Sequence, residues 1–372
     1  MALEDLFDKI IALAVKVARA NSIMPRLVNH DTAANLTMKG GTVDITVLDL
    51  PRPSIPIVPG PVPPAAQRPV PRNVRLGLDF WEDATFTLTD RDLSSMANSA
   101  DYVPKELQSS AAGLADRVDT TIFNQYRGVY GYVGTAGTTP FAASTAEAQA
   151  ATRILSTQRC PKGQGEMRHI VLDEFAYANA IGLEVLQRVD AAGSNITLRE
   201  AMVGRALGFN WEEDQNVVRH TTVGGAGFVT NGAQVAGATT LAVSTGAIAP
   251  AEGDIFSIAG HTQTYVVRAG ATTALWSISP ALAVNIPANS AITFRASHVV
   301  NLAFHEMAFA FASRPVAEVM PEFARARTWV DDVSGLVLTL EIAREYYQTS
   351  FRLSCMWGTQ LVQPRFATRI AG

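Results

Sequence analysis

The sequence predicts an α+β fold with a small β domain inserted into it, and three features of the 372-residue chain lead to this prediction. A long amphipathic helix is expected between Asp101 and Tyr130. Helices and strands alternate after it, which is typical of an α/β or α+β module. From Thr222 to Ala296 the chain becomes rich in Gly, Ala and Thr and almost free of charge, so a separate unit of short strands is expected there.

Composition limits the classes of protein to which the chain can belong. Charged residues make up 17%, which is low for a globular chain and suggests that other subunits cover much of its surface. A net charge of −4 argues against a dedicated nucleic-acid binder. No apolar run is long enough to predict a membrane span, and the acidic first residues do not fit a secretory signal. Cys160 and Cys355 are expected to be reduced, because two cysteines do not make a disulfide framework.

Residues 1–36 are expected to form an N-terminal arm. The part that ends near Ala20 has the apolar spacing of an amphipathic helix, and the stretch after it looks irregular. A short helix on a loose tether is typical of a segment that docks elsewhere.

Residues 37–92 are predicted to form an extended loop with a proline-rich tip at 51–72. Apolar and polar residues alternate from Thr42 to Leu50, and strand character returns from Val74 to Thr89. Nine prolines between positions 51 and 72 exclude a helix or a central strand. The segment is either an interdomain linker or a two-stranded flap. Strands on both sides favour the flap, because the chain must then go out and return.

Residues 93–135 are predicted to contain the long helix as a spine, after a short helix that Asp90 could cap. Its apolar stripe consists of Leu107, Ala111, Leu114, Val118, Ile122 and Tyr126. The opposite face, which is expected to meet water, carries Lys105, Asp116, Arg117, Asp119 and Arg127. Pro104 suits its first turn, and Gly128 is a plausible stop. About 27 residues at 1.5 Å each would make a rod of roughly 40 Å.

Residues 136–221 are predicted to form the α/β module. The expected elements are a helix capped by Ser144 or Thr145, a buried strand at Arg168–Leu172, a helix capped by Asp173 that ends near Gly182, a helix from Thr197 to Ala206 and extended structure from Phe209 to His220. The six strand candidates in the inserted domain, residues 222–298, are 228–230, 240–244, 255–258, 263–268, 274–278 and 291–295. Such spacing suggests a small barrel or sandwich. Residues 299–372 are rich in strands and are expected to close the sheets.

The sequence shows no catalytic, cofactor-binding or metal-binding motif. His305 and Glu306 begin like a zinc-binding helix, but the residue where a second His is needed is Phe309. The run Glu212, Glu213 and Asp214 is interpreted as a solvated acidic turn rather than as paired catalytic acids. The aromatic residues interpreted as sheet packing are Tyr346, Tyr347 and Trp357. We therefore expect no enzymatic activity and no cofactor.

Three stretches resemble a known family. Leu107 to Tyr126, LQSSAAGLADRVDTTIFNQY, is similar to the spine of the coat proteins of short-tailed Salmonella-type phages. Gly253 to Gly260, GDIFSIAG, resembles a strand and turn of that family's insertion domain. Ser334 to Ile370 resembles its C-terminal strands, including the turn at Gln363-Pro364-Arg365. The order of the predicted elements also looks like that of the major capsid proteins of tailed bacteriophages, the Hong Kong 97-like fold.

This resemblance implies a capsid protein that self-assembles into an icosahedral head around double-stranded DNA. It implies an axial domain formed by 136–221, a peripheral domain built on the spine, and closing strands shared by both. It further implies pentamers and hexamers of the chain, a scaffolding protein, a portal, decoration proteins and non-specific contact with DNA at the inner face. The protein would be assembled in the host bacterial cytoplasm and would reside in the virion.

Two other classes of function fit the sequence. One is the shell of an encapsulin-like nanocompartment with the same fold. The other is an enzyme or glycan-binding protein in which the inserted β domain is the recognition module, although its uncharged strands and its lack of clustered aromatic residues or acids count against this.

Overall fold

The computed structural model describes residues 13–14, 16–18, 22–30, 42–47, 59, 72–91, 105–162, 168–187, 200–244, 246, 248–315, 325–331 and 333–372. The α-helices bounded within them are α1 (Met24–Leu27), α2 (Lys105–Phe123), α3 (Ala146–Thr157), α4 (Glu174–Gly182) and α5 (Glu184–Gln187). Most of the predicted N-terminal helix, nearly all of the proline-rich tip and the short helix after Asp90 lie outside the described residues.

The spine helix α2 is followed by a 3-10 turn, Asn124–Gly128, so the α-helix ends earlier than predicted while the helical path ends at the predicted glycine. The described positions of the apolar stripe are buried, from Ala111 to Tyr126, and the helix packs against strands of the sheet beside it. The prediction for Asp119 is wrong, because its side chain is buried and not on the water-facing side. Asp119 lies one position after Val118 and three before Ile122, so it borders the stripe that packs inward.

A sheet of long antiparallel strands lies beside the spine. Its strands are β3 (Phe80–Thr89), β16 (Phe309–Ser313), β17 (Arg325–Val330), β18 (Val337–Glu345) and β19 (Gln348–Leu361). The order is β16-β19-β18-β17, with β3 also paired to β19. Cross-strand aromatic stacking joins Phe86 to Phe351, whose ring centroids are 5.0 Å apart. The sheet therefore combines strands from both ends of the chain, as expected for closing strands.

A two-stranded ribbon precedes this sheet. Strands β1 (Thr42–Val47) and β2 (Arg72–Gly77) pair antiparallel, with Val47 opposite Arg72. Val43 and Val47 face inward, as the alternation predicts, and pack in a small apolar cluster with Ala312 of β16. The two strands predicted on either side of the proline-rich segment are thus paired with each other, as a flap requires at its base.

A second sheet, which contains both parallel and antiparallel strand pairs, forms the α/β module. Its strands are β4 (Gly131–Gly134), β5 (Arg168–Leu172), β6 (Gly204–Ala206), β7 (Phe209–Glu213), β8 (Arg219–His220), β15 (His298–His305) and β20 (Ala367–Ala371). The order is β4-β20-β15-β5-β7-β6, and β8 also pairs with β15. Strands β5 and β7 are parallel, so the chain between them crosses over through α4 and α5. All five residues of β5 are buried, the polar Arg168 and His169 as well as the three apolar residues that follow them.

Most of the predicted elements of this module are present. The strand Arg168–Leu172 and the helix Glu174–Gly182 have the predicted bounds. The predicted helix from Thr197 to Ala206 is wrong at its C-terminal end, since Gly204–Ala206 is strand β6, paired with β7. Gly208 has φ +82°, so a tight turn at Leu207 and Gly208 returns the chain into β7 and favours pairing over a helix.

The inserted domain is a six-stranded barrel. Its strands are β9 (Val229–Thr230), β10 (Thr240–Ser244), β11 (Ile255–Ile258), β12 (Thr264–Val267), β13 (Leu275–Ser279) and β14 (Ile292–Phe294). Each overlaps one of the six predicted strands. The order is β14-β11-β12-β13-β10-β9, and Ile292 N–H donates to Phe228 C=O at 3.0 Å, so the two edge strands meet and the sheet closes. The core is aromatic, with Trp276 fully buried against Phe228 and Phe256.

Candidate interaction surfaces and the domain junction

The barrel begins and ends at adjacent positions of the module. His220 ends β8, where the chain leaves, and His298 begins β15, where the chain returns, and the two residues are directly paired. Both side chains are buried, and their ring centroids lie 5.5 Å apart. The insertion is therefore anchored at one point by two neighbouring strands.

A buried polar network occupies this junction. The Tyr126 hydroxyl lies 3.0 Å from His220 Nδ1, and His220 Nε2 lies 2.9 Å from Asp254 Oδ1. Asp254 also accepts backbone N–H groups through Oδ2, from Gly224 at 2.8 Å and from Ala251 at 3.0 Å. A carboxylate that accepts several N–H groups satisfies donors that burial would otherwise leave unpaired. These hydrogen bonds join the spine, the module and the barrel.

Arg369, near the C-terminus, completes the junction. Its guanidinium donates from Nη1 to Gly253 C=O and from Nη2 to Tyr126 C=O, each at 2.9 Å. It also lies 4.8 Å from the centre of the Tyr126 ring, a cation–π geometry. The side chain is fully buried, and burial lowers the pKa of Arg369 to about 9. The last strand thereby binds both the spine and the barrel.

His298 is held neutral in the same junction. Its Nδ1 lies 2.9 Å from Ala296 C=O, so the Nδ1–H form donates there. Burial lowers the pKa of His298 to about 4. No sequence motif marks this cluster, because its members Tyr126, His220, Asp254, His298 and Arg369 come from five distant stretches of the chain. The pairing of β8 with β15 is the feature that brings them together.

Exposed apolar side chains mark a surface on the α/β module. This axial surface consists of Phe175, Val185, Met202 and Leu207, which are 67%, 58%, 48% and 40% exposed. They lie on α4, α5 and the chain before β7, and Val203 N–H donates to the Tyr177 hydroxyl of α4 at 3.3 Å. Grouped exposed apolar residues indicate an interaction site rather than an isolated surface position.

A second set of exposed aromatic residues lies on the sheet beside the spine. This peripheral surface consists of Trp81 on β3, Trp329 on β17, and Tyr346 and Tyr347 in the turn between β18 and β19. Tyr346 is 89% exposed, so the interpretation of both tyrosines as sheet packing is wrong. Trp357 does pack within the sheet, stacked on Phe80 with ring centroids 5.7 Å apart. The tyrosines differ because they occupy the turn, which projects beyond the last paired residues.

The remaining sequence candidates have structural roles. Among the described residues, no group of three or more His, Cys, Asp or Glu side chains is placed to hold a metal ion. His305 Nδ1 accepts the N–H of Met307 at 3.2 Å and so caps a 3-10 turn. The acidic run is not a fully solvated turn, because Asp214 is buried and burial raises the pKa of Glu212. Cys160 and Cys355 are both buried and are not disulfide-bonded in the described part of the chain.

Residues 22–30 of the arm lie against the rest of the chain. Asn29 forms an isolated parallel bridge with Ala310 of β16, and Phe311 N–H donates to Asn29 C=O at 2.9 Å. Arg72 of the ribbon donates from Nη2 to Val362 C=O at 2.8 Å. The bases of the arm and of the flap thus lie on the same part of the molecule. In the described ranges, no helix combines the length and apolar character needed to cross a membrane.

The class of fold follows from the order of these parts: an arm, a two-stranded flap, a spine helix, an α/β module with an inserted barrel, and closing strands. This is the Hong Kong 97-like fold of tailed-phage major capsid proteins, as the sequence predicted. The chain is similar to a solved structure from Mycobacterium phage Che8 at 13% identity and a TM-score of 0.52, with 94% of this chain and 91% of that chain covered.

Two further solved structures are similar over most of their length, with TM-scores below 0.5. A capsid structure of the cyanophage P-SCSP1u matches at 13% identity and a TM-score of 0.45, over 90% of this chain and 84% of that one. A virus-like particle from Pyrococcus furiosus matches at 7% identity and a TM-score of 0.48, over 98% and 99%. No protein-family model matches the sequence, and a search of curated proteins found no match either.

Proposed function

We propose that the chain is a capsid subunit that self-assembles into the icosahedral head of a tailed bacteriophage and encloses its double-stranded DNA genome. The observation that carries this proposal is the Hong Kong 97-like fold, which extends over 94% of the chain in the match to the Che8 structure. Function here is the formation of interfaces, so the surfaces described above take the place of an active site.

The proposed shell uses three contacts between copies. The flap and the N-terminal arm would cross onto neighbouring copies. The axial surface, with Phe175 and Val185, meets its equivalents around five-fold and six-fold axes, so that the chain forms pentamers and hexamers. Each contact can be weak, because a closed lattice multiplies contacts and weak contacts allow errors to dissociate.

The proposed partners follow from this role. A scaffolding protein, a portal and decoration proteins would bind the shell, and the packaged DNA would touch its inner face non-specifically. A net charge of −4 is compatible with loose rather than tight contact to DNA. The protein would assemble in the host bacterial cytoplasm and remain in the virion.

The test is to express the full chain alone, separate it by size-exclusion chromatography and image the early fractions by negative-stain electron microscopy. Round shells or curved sheets of hexamers would support the proposal. If only a monomer forms, the measurement is repeated with the proteins encoded beside this chain. A chain that stays monomeric under both conditions would contradict shell formation. Shells that hold an enzyme rather than DNA when isolated from the native host would instead indicate a nanocompartment.

A further inference from the structure

An open cavity of about 330 Å³ lies where the end of the spine meets the inserted barrel and the long strand β19. The 3-10 turn Asn124–Gly128 forms one wall, Glu252 and Arg268 of the inserted domain form the second, and Gln360 and Leu361 of β19 form the third. Cavities that lie between domains and carry convergent polar groups are common sites of ligand binding. This cavity shares no residue with the axial or the peripheral surface.

Hydrogen bonds fix the walls of this cavity. Gln125 is tied to β19, because its Oε1 accepts the N–H of Leu361 at 3.3 Å. Behind the cavity, the buried Arg369 donates to the carbonyl groups of Tyr126 and Gly253, which are the neighbours in sequence of two lining residues. A ligand would therefore meet walls that are already ordered, which lowers the entropic cost of binding.

Two arginines from different parts of the fold line this cavity. Arg127 belongs to the 3-10 turn at the end of the spine, and Arg268 directly follows strand β12 of the barrel. A Cβ placed on Gly128, the residue after Arg127, would lie 2.5 Å from Arg268 Nη1. The guanidinium of Arg268 therefore reaches from the barrel to the backbone beside Arg127, in space that the missing side chain of a glycine leaves open.

The charges that line the cavity favour an anion. Glu252 also lines it, but within the described part of the chain it forms no ion pair with Arg127 or Arg268. Two like charges held close together repel each other, and a bound anion relieves that repulsion. A guanidinium presents several N–H donors in one plane and binds pairs of phosphate oxygens. The side-chain amides of Asn124 and Gln360 add further N–H donors.

We propose that this cavity is a phosphate-binding site, in which Arg127 and Arg268 hold one phosphate group between the end of the spine and the barrel. The phosphate oxygens accept N–H groups from both guanidinium groups, so a bound phosphate links the inserted domain to the spine. Inorganic phosphate and the phosphodiester backbone of a nucleic acid present the same oxygen atoms, so both are sources of such a group. The site lies within one chain and does not depend on shell formation.

The experiment is equilibrium dialysis of the full-length chain against radiolabelled inorganic phosphate at neutral pH. Chloride keeps the ionic strength constant, because salt weakens binding between exposed charges. The wild-type chain should bind phosphate saturably. A short thymidine oligonucleotide is then added as a competitor. If it displaces the phosphate, the site accepts the phosphate of a nucleic acid, and if it does not, the site is specific for the free ion.

Three variants and one control complete the test. Arg127→Gln and Arg268→Gln should each weaken phosphate binding about tenfold, because each removes a charge-assisted hydrogen bond. Glu252→Gln removes a repelling charge and should strengthen binding about threefold, a gain that cannot result from unfolding.

Arg153→Gln removes an exposed arginine of α3 with the same change in net charge, so it should bind phosphate as the wild type does. The absence of saturable binding to the wild-type chain would overturn the proposal. An equal loss of affinity in Arg153→Gln would also overturn it, since the binding would then depend on net charge alone.

Discussion

His220 Nε2 lies 2.9 Å from Asp254 Oδ1, so a strand of the α/β module is hydrogen-bonded directly to the residue that precedes strand β11 of the inserted barrel. Both side chains are buried. Asp254 thereby has two roles. Its Oδ2 accepts the backbone N–H groups of Gly224 and Ala251, and its Oδ1 joins the barrel to the module through His220.

Removing this carboxylate should destabilise the whole chain. Asp254→Ala leaves backbone N–H groups and His220 without a partner in a buried site, which should lower the free energy of unfolding by about 3–5 kcal/mol. Urea denaturation followed by tryptophan fluorescence measures this change in the free energy of unfolding. Glu252→Ala, two residues away and half-buried, should change stability by less than about 0.5 kcal/mol. Equal losses in both variants would show that Asp254 has no special role.

Two glycines should respond in opposite directions to the same substitution. A Cβ at Gly358 would lie 1.8 Å from the Gly77 carbonyl oxygen, where the link between β2 and β3 passes β19. Gly358→Ala should therefore lower the free energy of unfolding by about 2–3 kcal/mol, because the backbone must move to make room for the methyl group. At Gly113, within the spine helix, a Cβ would meet nothing within 4 Å. Gly113→Ala should therefore raise the free energy of unfolding by about 0.5–1 kcal/mol. Thermal unfolding of the two variants checks both signs.

Stability should fall on acidification because of two buried histidines. Burial lowers the pKa of His169 and of His298 from 6.5 to about 4. Folding then favours the neutral rings, so this contribution is complete above pH 6.5 and is lost as the pH falls towards about 4. The loss should amount to no more than about 3 kcal/mol for each histidine. Denaturation midpoints measured across this range should show a shallower slope in His298→Gln, and an identical slope would contradict the assignment.

The flap can be shortened without disturbing its base. Val47 and Arg72 are directly opposite each other, so a two-residue Asn-Gly turn can replace residues 48–71 and close the ribbon. We expect this variant to fold with wild-type stability, because the described contacts of the flap lie in the ribbon. It should fail to form shells if the tip crosses onto a neighbour. Circular dichroism and negative-stain microscopy give the two readouts, and normal shells from this variant would refute the crossing.

The axial surface should be necessary for assembly and dispensable for folding. Phe175 and Val185 are more than half exposed in the single chain, so Phe175→Asp and Val185→Asp should leave the unfolding free energy within about 0.5 kcal/mol. A buried contact between copies would be lost, since an unpaired charge is costly to bury. Light scattering should therefore show a strong loss of large particles. Val235→Asp, at a similarly exposed position of the barrel, is the matched control and should assemble normally.

Predictions that depend on local sequence were confirmed most closely. The bounds of the strand Arg168–Leu172 and of the helix Glu174–Gly182 agree with the structure, since an apolar run and an Asp just before the helix mark them locally. The predicted cap itself is wrong, because the Asp173 side chain makes no capping hydrogen bond. All six barrel strands were also located, because Gly and Pro turns separate them in a stretch almost free of charge. Where a local signal was ambiguous, as at Gly204–Ala206, pairing with β7 decided in favour of a strand.

Predictions about individual polar residues depended on contacts that the sequence does not contain. Asp119 looks like a surface residue of an amphipathic helix, yet its hydrogen bond to Ile23 joins positions 96 residues apart. Tyr346 and Trp357 look alike in an alternating strand, yet one lies in a projecting turn and the other in the core. Only the three-dimensional path of the chain separates such cases.

The sequence by itself determined the local elements, the inserted β unit and the flap, because periodicity, proline and glycine act on neighbouring residues. Those elements in that order were enough to predict a Hong Kong 97-like fold. The tertiary structure alone decided that His220 meets Asp254, that Asp119 accepts the backbone N–H of Met24, and which apolar side chains stay exposed. These features depend on which distant strands pair, and the free energy of burial that selects the pairing is a property of the whole packed chain.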